Sequence, residues 1–246
     1  MVSYPKSGST WLRFLLAHVL TDHHADFDSI RDTVPPVGRH RGAPALLPSG
    51  GRVIRSHEPL SPTLGRCGRP VVYLVRDGRD VALSYLDHQR RYLQFDGELD
   101  AFLDLFLSGQ LDGYGTWDDH VAAALEFGRS TPGPFLMVKY EDLRTDPVGQ
   151  LARVVAFLGV TVEPARLAEA VEANTKDRMR AKEASSAFLA SKATDGTPFV
   201  RSDRRKVWDE LVPAPVRETF ESRCATALAG AGYAVAAPPA GSLERR

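Results

Sequence analysis

Apolar positions in this chain follow two periods. Leu12, Leu15, Leu16 and Val19 fall three or four apart, the spacing of one buried helix face. Val71–Val75 is instead a short, continuous apolar run, which suits a strand covered on both faces in a parallel sheet, and Phe135–Lys139 predicts another buried strand. Helical spacing returns at Val81–Arg91, Leu99–Leu107, Trp117–Phe127, Pro164–Asn174 and Pro215–Leu228. Asp146 and Pro147 form a cap-plus-N1 helix start, and Gly159 is placed as its stop. Arg52–Arg55 predicts a short strand. Asp22–Gly51 predicts a long loop with a short helix near Asp28–Asp32, and polar Ala181–Arg205 a mobile segment. Strands alternating with helices, without repeats or a linker, predict one α/β domain over residues 1–235. Its expected architecture is three-layer α/β/α around a central parallel sheet, with a disordered tail at 236–246.

Before Tyr4 stand only Met1, Val2 and Ser3. A central strand typically needs about five residues. Either Met1–Tyr4 suffices, or the start is assigned a few residues late.

Composition narrows the classes. The 246 residues carry 31 Lys+Arg against 31 Asp+Glu, a balance that argues against a general binder of nucleic acid. The two cysteines, Cys67 and Cys224, make neither a disulfide framework nor a metal-ligand spacing, which points to a reducing cytoplasm. The run Trp11–Leu20 is about half a membrane span and is interrupted by Arg13 and His18, so no membrane span is expected. Richness in Ala, Arg, Gly and Pro is the usage expected of a high-GC bacterial genome.

The candidate chemistry begins at Tyr4-Pro5-Lys6-Ser7-Gly8-Ser9-Thr10-Trp11. A small-residue loop between strand and helix aims backbone N–H groups at one point, and the helix dipole adds positive potential there. Lys6 contributes a mobile cation for a phosphate or sulfate oxygen. The Walker order, with glycine before Gly-Lys-Ser/Thr, is absent.

Lys-Ser-Gly-Ser-Thr-Trp resembles the 5′-phosphosulfate loop of the sulfotransferases that use 3′-phosphoadenosine 5′-phosphosulfate (PAPS). Further stretches match in order. Tyr73–Tyr85 resembles the 3′-phosphate element, a strand ending in Arg76 and a helix carrying Ser84 eight residues later. Phe199-Val200-Arg201 and Trp208 resemble the C-terminal phosphate segment, with Ser202-Asp203 where the family has Lys-Gly. Asn174–Met179 resembles the adenine segment; Thr175 and Met179 match, and Lys176 replaces a stacking phenylalanine. Arg55-Ser56-His57-Glu58-Pro59-Leu60 resembles Lys-Thr-His-x-Pro-Leu.

The resemblance implies a cytosolic, bacterial-type sulfotransferase with the P-loop NTPase-like fold. It implies that Lys6, Ser7, Gly8, Ser9, Thr10 and Trp11 hold the donor with Arg76, Ser84, Tyr140, Thr175, Met179 and Arg201. It further implies His57 as general base and Lys6 as stabiliser of the leaving phosphate, with Ser84 also able to hold Lys6. Adenosine 3′,5′-bisphosphate (PAP) would be the product, and no metal is implied. The expected acceptor is a small hydroxylated molecule, an alcohol or phenol of secondary metabolism, with a carbohydrate left open. Tyr85, Tyr92 and Phe95 are candidate pocket residues, and a homodimer is possible. Two alternatives stay open: a nucleotide-dependent phosphotransferase and an inactive nucleotide-binding relative.

Overall fold

The computed structural model describes residues 1–21, 24–191, 200 and 208–235. Arg201, the residues flanking it at 202–207, and the tail at 236–246 lie outside the described residues.

In chain order the elements are α1 (Ser9–Leu20), α2 (Ile30–Thr33), α3 (Pro62–Arg66), β1 (Val71–Val75), α4 (Gly78–Leu93), α5 (Leu99–Ser108) and α6 (Trp117–Ser130). There follow β2 (Phe135–Lys139), α7 (Tyr140–Thr145), α8 (Pro147–Phe157), α9 (Pro164–Glu172), α10 (Lys176–Ala184), α11 (Ala187–Ala190), α12 (Trp208–Leu211) and α13 (Ala214–Gly230).

β1 and β2 pair in parallel, with Val71 opposite Phe135 and Val75 opposite Lys139. Further extended backbone continues the sheet by single bridges. Val2 bridges both Tyr73 and Ser56, and Pro36 bridges Arg55, all in parallel. The sheet edge therefore runs from residues 35–37 through 54–56 and 1–3 to β1 and β2. The expected strand at Arg52–Arg55 is reduced to these bridges. Its outer neighbour contains Pro35 and Pro36, which lack the N–H groups a ladder requires. At Val2 the amide donates to Val72 at 2.8 Å and the carbonyl accepts from Leu74 at 2.9 Å, before the chain turns away at Pro5 and Lys6.

Alternation along β1 separates two cores. Val71, Tyr73 and Val75 pack with residues of α4, α5, α6 and α13. Val72 and Leu74 pack with residues of α1, α8 and α9. Helices thus cover both faces of the sheet, the three-layer arrangement expected. α1 departs from the single buried face its spacing predicts: every residue from Leu12 to His18 is buried. Arg13 is accommodated because its guanidinium donates to the Val34 oxygen at 3.0 and 2.6 Å and to the Ile30 oxygen at 3.2 Å. Burial lowers its pKa to about 9. The described part of Ala181–Arg205 is largely helical, in α10 and α11. Asp28 holds that region by accepting from Ser186 Oγ at 2.7 Å and Phe188 N–H at 3.0 Å, contacts too distant in sequence for local pattern to reveal.

Candidate active site

Lys6 and Gly8 both adopt left-handed backbone, with φ of 67° and 93°. Glycine tolerates this; lysine carries a cost of about 1–2 kcal/mol there. The turn sets Gly8 at the N-cap of α1, where no side chain caps the helix and no acidic residue occupies the first turn. Uncapped first-turn N–H groups and an unopposed dipole favour an anion. Ser7 Oγ is buried without a hydrogen-bond partner. A Cβ on Gly8 would sit 2.3 Å from Tyr140 Cδ2, so the loop lies directly against that ring.

Arg76, at the end of β1, donates from Nη1 to the Lys6 oxygen at 3.1 Å. Its guanidinium carbon lies 4.7 Å from the centre of the Tyr140 ring. Nη2 is 3.5 Å from Asp80, a long ion pair, and Nε is buried without an acceptor. Ser84 is buried two turns into α4. The loop and the β1–α4 corner therefore meet at one sheet edge. Two buried polar atoms there, Ser7 Oγ and Arg76 Nε, lack protein partners, which fits an anionic donor bound between them.

The base-side residues also converge. Trp11 Nε1 donates to the Asn174 oxygen at 2.9 Å, one residue before Thr175. Trp11 and Tyr140 rings are 6.5 Å apart and nearly perpendicular. Met179 is buried on α10, while Lys176 is exposed at the start of that helix.

His57 stands beside the loop strand. Its Nδ1 donates to the Ser3 oxygen at 2.7 Å, leaving Nε2 as the lone-pair nitrogen, which contacts Arg55 Nη1. Burial first, then the Arg55 charge, lower its pKa to about 3, so the ring is neutral at pH 7. Behind it, His120 Nε2 donates to the His57 oxygen at 3.0 Å, and Tyr73 OH donates to His120 Nδ1 at 2.8 Å. Tyr114 meets the His57 ring edge-on at 5.6 Å.

The sulfotransferase domain family model matches residues 1–232. This chain belongs to the sulfotransferase family. Mouse sulfotransferase 1B1 is 30% identical over 197 residues, covering 73% of this chain and 64% of that protein. Rat sulfotransferase 2A6 is 27% identical over 241 residues, covering 94% of this chain and 84% of that protein. Against the first of these, the chain spans less than two thirds of the relative's length. Mouse sulfotransferase SULT7A1 complexed with PAP has the same fold, with a TM-score of 0.70 at 23% identity, covering 92% of this chain and 82% of that one.

Several residues of this chain take roles that no motif assigns to them. His120 has no motif of its own, yet it supports the His57 backbone across 63 residues. Asn174 supplies the carbonyl that fixes Trp11. The His88 imidazole is lowered to about 3 by burial and then by the Lys6 and Arg91 charges, which places it in the field of the loop lysine. Tyr85, expected in an acceptor pocket, is instead buried in the core and donates from its hydroxyl to Asp112. Phe95 packs against that core 5.9 Å from Phe102. Tyr85 on α4 and Phe95 just beyond that helix both pack against Phe102 of α5, so packing claims them. Trp208 is likewise core, with its ring 4.7 Å from Phe220. Among the described residues no group of three His, Cys, Asp or Glu could hold a metal ion, and no helix is long and apolar enough to cross a membrane.

Proposed function

We propose that this chain moves the sulfuryl group of PAPS to a hydroxyl of a small acceptor, releasing PAP. The observation that carries this reading is the Arg76–Lys6 contact at 3.1 Å, beside two buried polar atoms with no protein partner. PAP is the ligand named for the mouse SULT7A1 structure and for retinol dehydratase, whose fold is also shared at a TM-score of 0.69 and 20% identity.

The donor, when bound, supplies a sulfur whose bond to the 5′-phosphate oxygen breaks as the acceptor oxygen bonds to it. The chain itself contributes positioning, proton transfer and charge stabilisation. His57 Nε2 takes the acceptor's proton, since Nδ1 is already committed to the Ser3 oxygen. Arg55 must yield Nε2 for this. Lys6 stabilises charge on the leaving phosphate, and Ser7, Gly8, Ser9 and Thr10 line the anion loop. Arg76 and Ser84 take the 3′-phosphate, with Arg201 assigned there by sequence. Trp11, Tyr140, Thr175 and Met179 hold the base.

Widely spaced, unpaired cysteines support a cytoplasmic setting for a single domain over 1–235. Retinol and androsterone, the compounds bound in the two retinol dehydratase structures, are both alcohols, which supports an alcohol or phenol as the acceptor class.

Thermal shift with PAP against ATP–Mg²⁺ tests the donor. PAP at 100 times its Kd should add about 2.7 kcal/mol of stability. A shift with ATP–Mg²⁺ alone would favour a phosphotransferase. PAP binding with no sulfate gain on any hydroxylated metabolite, read by mass spectrometry with PAPS supplied, would favour an inactive relative.

A further inference from the structure

Three arginines from separate elements share one charged region beside His57. Arg55 is half-buried, and its Nη1 contacts His57 Nε2. Arg13, on α1, donates to the oxygens of Ile30 and Val34, the first residue of α2 and the residue just after it. Arg31, on α2, lies over the Phe188 ring, with its guanidinium carbon 3.9 Å from the ring centre. Among the described residues none of the three forms an ion pair. Asp32 and Glu58, the carboxylates nearest in sequence, are exposed, and Asp28 is engaged with Ser186 and Phe188. After burial, the Arg55, His120 and Arg13 charges each lower the His57 pKa. Burial also lowers Arg55, against an opposing Tyr114, and the Arg31 charge lowers it further.

This region lies towards the outer edge of the sheet. Lys6, Arg76 and Tyr140, assigned to the donor, follow residues 1–3, β1 and β2. Arg55 and the chain leaving α2 occupy the two outer positions, 54–56 and 35–37. A guanidinium held partly out of water without a counter-charge is unfavourable. Arg55 Nε is also buried without an acceptor, a second unmet demand. Its one side-chain contact covers the lone pair that His57 needs for proton transfer. A single anion would answer all three points. The planar fork of arginine matches a carboxylate, phosphate or sulfate, and a guanidinium turned towards that anion leaves Nε2 open.

We propose that the acceptor carries an anionic group close to its hydroxyl, and that this group draws Arg55 off His57 Nε2 while Arg13 and Arg31 supply the surrounding positive potential. The acceptor class narrows from any small alcohol or phenol to a hydroxylated anion. A neutral acceptor would leave Arg55 on the base. The inference rests on the sulfuryl-transfer reading and deepens it. The sulfuryl oxygens of the donor are the competing anion for Arg55, and PAP, which lacks that group, separates the two.

The test is calorimetric and needs no turnover. PAP is titrated into the full chain, and the PAP-loaded chain then receives 3-hydroxybenzoate or 3-hydroxybenzamide, probes of nearly equal shape that differ in charge at neutral pH. The benzoate should bind about 10-fold more tightly, the scale of one charge-assisted hydrogen bond. Arg55→Met should narrow that gap to within about 2-fold. Arg31→Gln, at an exposed side chain, should narrow it by about 3-fold and leave benzamide binding unchanged. Benzamide binding as tightly as benzoate, absence of binding by both included, would overturn the proposal. A full gap kept in Arg55→Met would also overturn it, and weaker PAPS binding with unchanged PAP binding in that variant would give Arg55 to the sulfuryl group. A wild-type chain that does not bind PAP would overturn the donor reading itself, and this proposal with it.

Discussion

Arg76 donates its Nη1 hydrogen to the main-chain oxygen of Lys6 at 3.1 Å. Two cations assigned to opposite ends of one donor are thus joined through the backbone of the loop. Arg76 therefore serves structure as well as recognition, because it holds the carbonyl of a residue in left-handed conformation. Lysine at 76 would keep the charge but lose the planar fork that can serve a carbonyl and a phosphate together. Arg76→Lys should weaken PAP by about 10- to 100-fold in calorimetric titration, the scale of charge-assisted bonds lost at a partly buried site. An affinity within 2-fold of wild type would remove Arg76 from the donor site.

Loop strain gives a second expectation. Lys6 is held at φ 67°. Lys6→Gly should raise the unfolding free energy over Lys6→Ala by about 1 kcal/mol, because only glycine relaxes there. Both should lose turnover by several orders of magnitude if the ammonium stabilises the leaving group. Gly8→Ala should fail differently. Its φ of 93° is one penalty, and a methyl at 2.3 Å from the Tyr140 ring is another. Trimming Tyr140 to leucine in the Gly8→Ala background should recover only part of the stability lost to Gly8→Ala in chemical denaturation, measured against Tyr140→Leu alone, since the backbone penalty remains. Full recovery would show that the ring alone demands glycine.

The main strands and long helices were legible because their signals are local. Val71–Val75 and Phe135–Val138 are apolar without interruption, and the strands run Val71–Val75 and Phe135–Lys139; the first is buried throughout as expected, whereas in the second only Val138 is fully buried. Asp146 caps α8 by accepting the Gly149 N–H, as its place before Pro147 predicts. The phosphate loop was readable because its residues are consecutive. What escaped is set by contacts between distant residues. α7, α10 and α11 are short, and each is placed by tertiary partners rather than by its own spacing. His120 reaches His57 across the sheet edge, Arg55 turns onto His57 Nε2, and Tyr85 is drawn into the core by Asp112. A motif fixes which residue types occur together; it does not fix which of them finds a partner first.

The Tyr73–His120–His57 chain predicts acid sensitivity. Burial lowers His120 to about 4, so the folded state resists protonation that the unfolded chain accepts near 6.5. The stabilising contribution is fully present above pH 6.5 and is lost as pH falls towards 4. One such imidazole adds a slope of up to about 1.4 kcal/mol per pH unit in that window. Chemical denaturation from pH 7 to 5 should therefore show a shallower decline in His120→Gln than in wild type, even though the variant starts less stable. Parallel declines would mean that His120 is protonated in the fold.

Arg55 adds to burial in lowering the basicity of His57. Its guanidinium against Nε2 lowers the imidazole, adding to burial, and the folded value is about 3. A base acts only when unprotonated, and the acid limb of kcat/KM reports its pKa in the free enzyme. In wild type, kcat/KM should therefore stay level from pH 8 down to about 5. Arg55→Met removes the cation and should move the acid limb to higher pH, while burial, the larger cause, still holds it below the ordinary imidazole range. His57→Ala supplies the control: turnover should fall at least about 1000-fold, while PAP affinity stays within about 2-fold. A variant at 55 whose profile superimposes on wild type would show that the contact does not set the base. Turnover surviving in His57→Ala would give the proton to another acceptor, with Glu58 next in sequence and exposed to solvent.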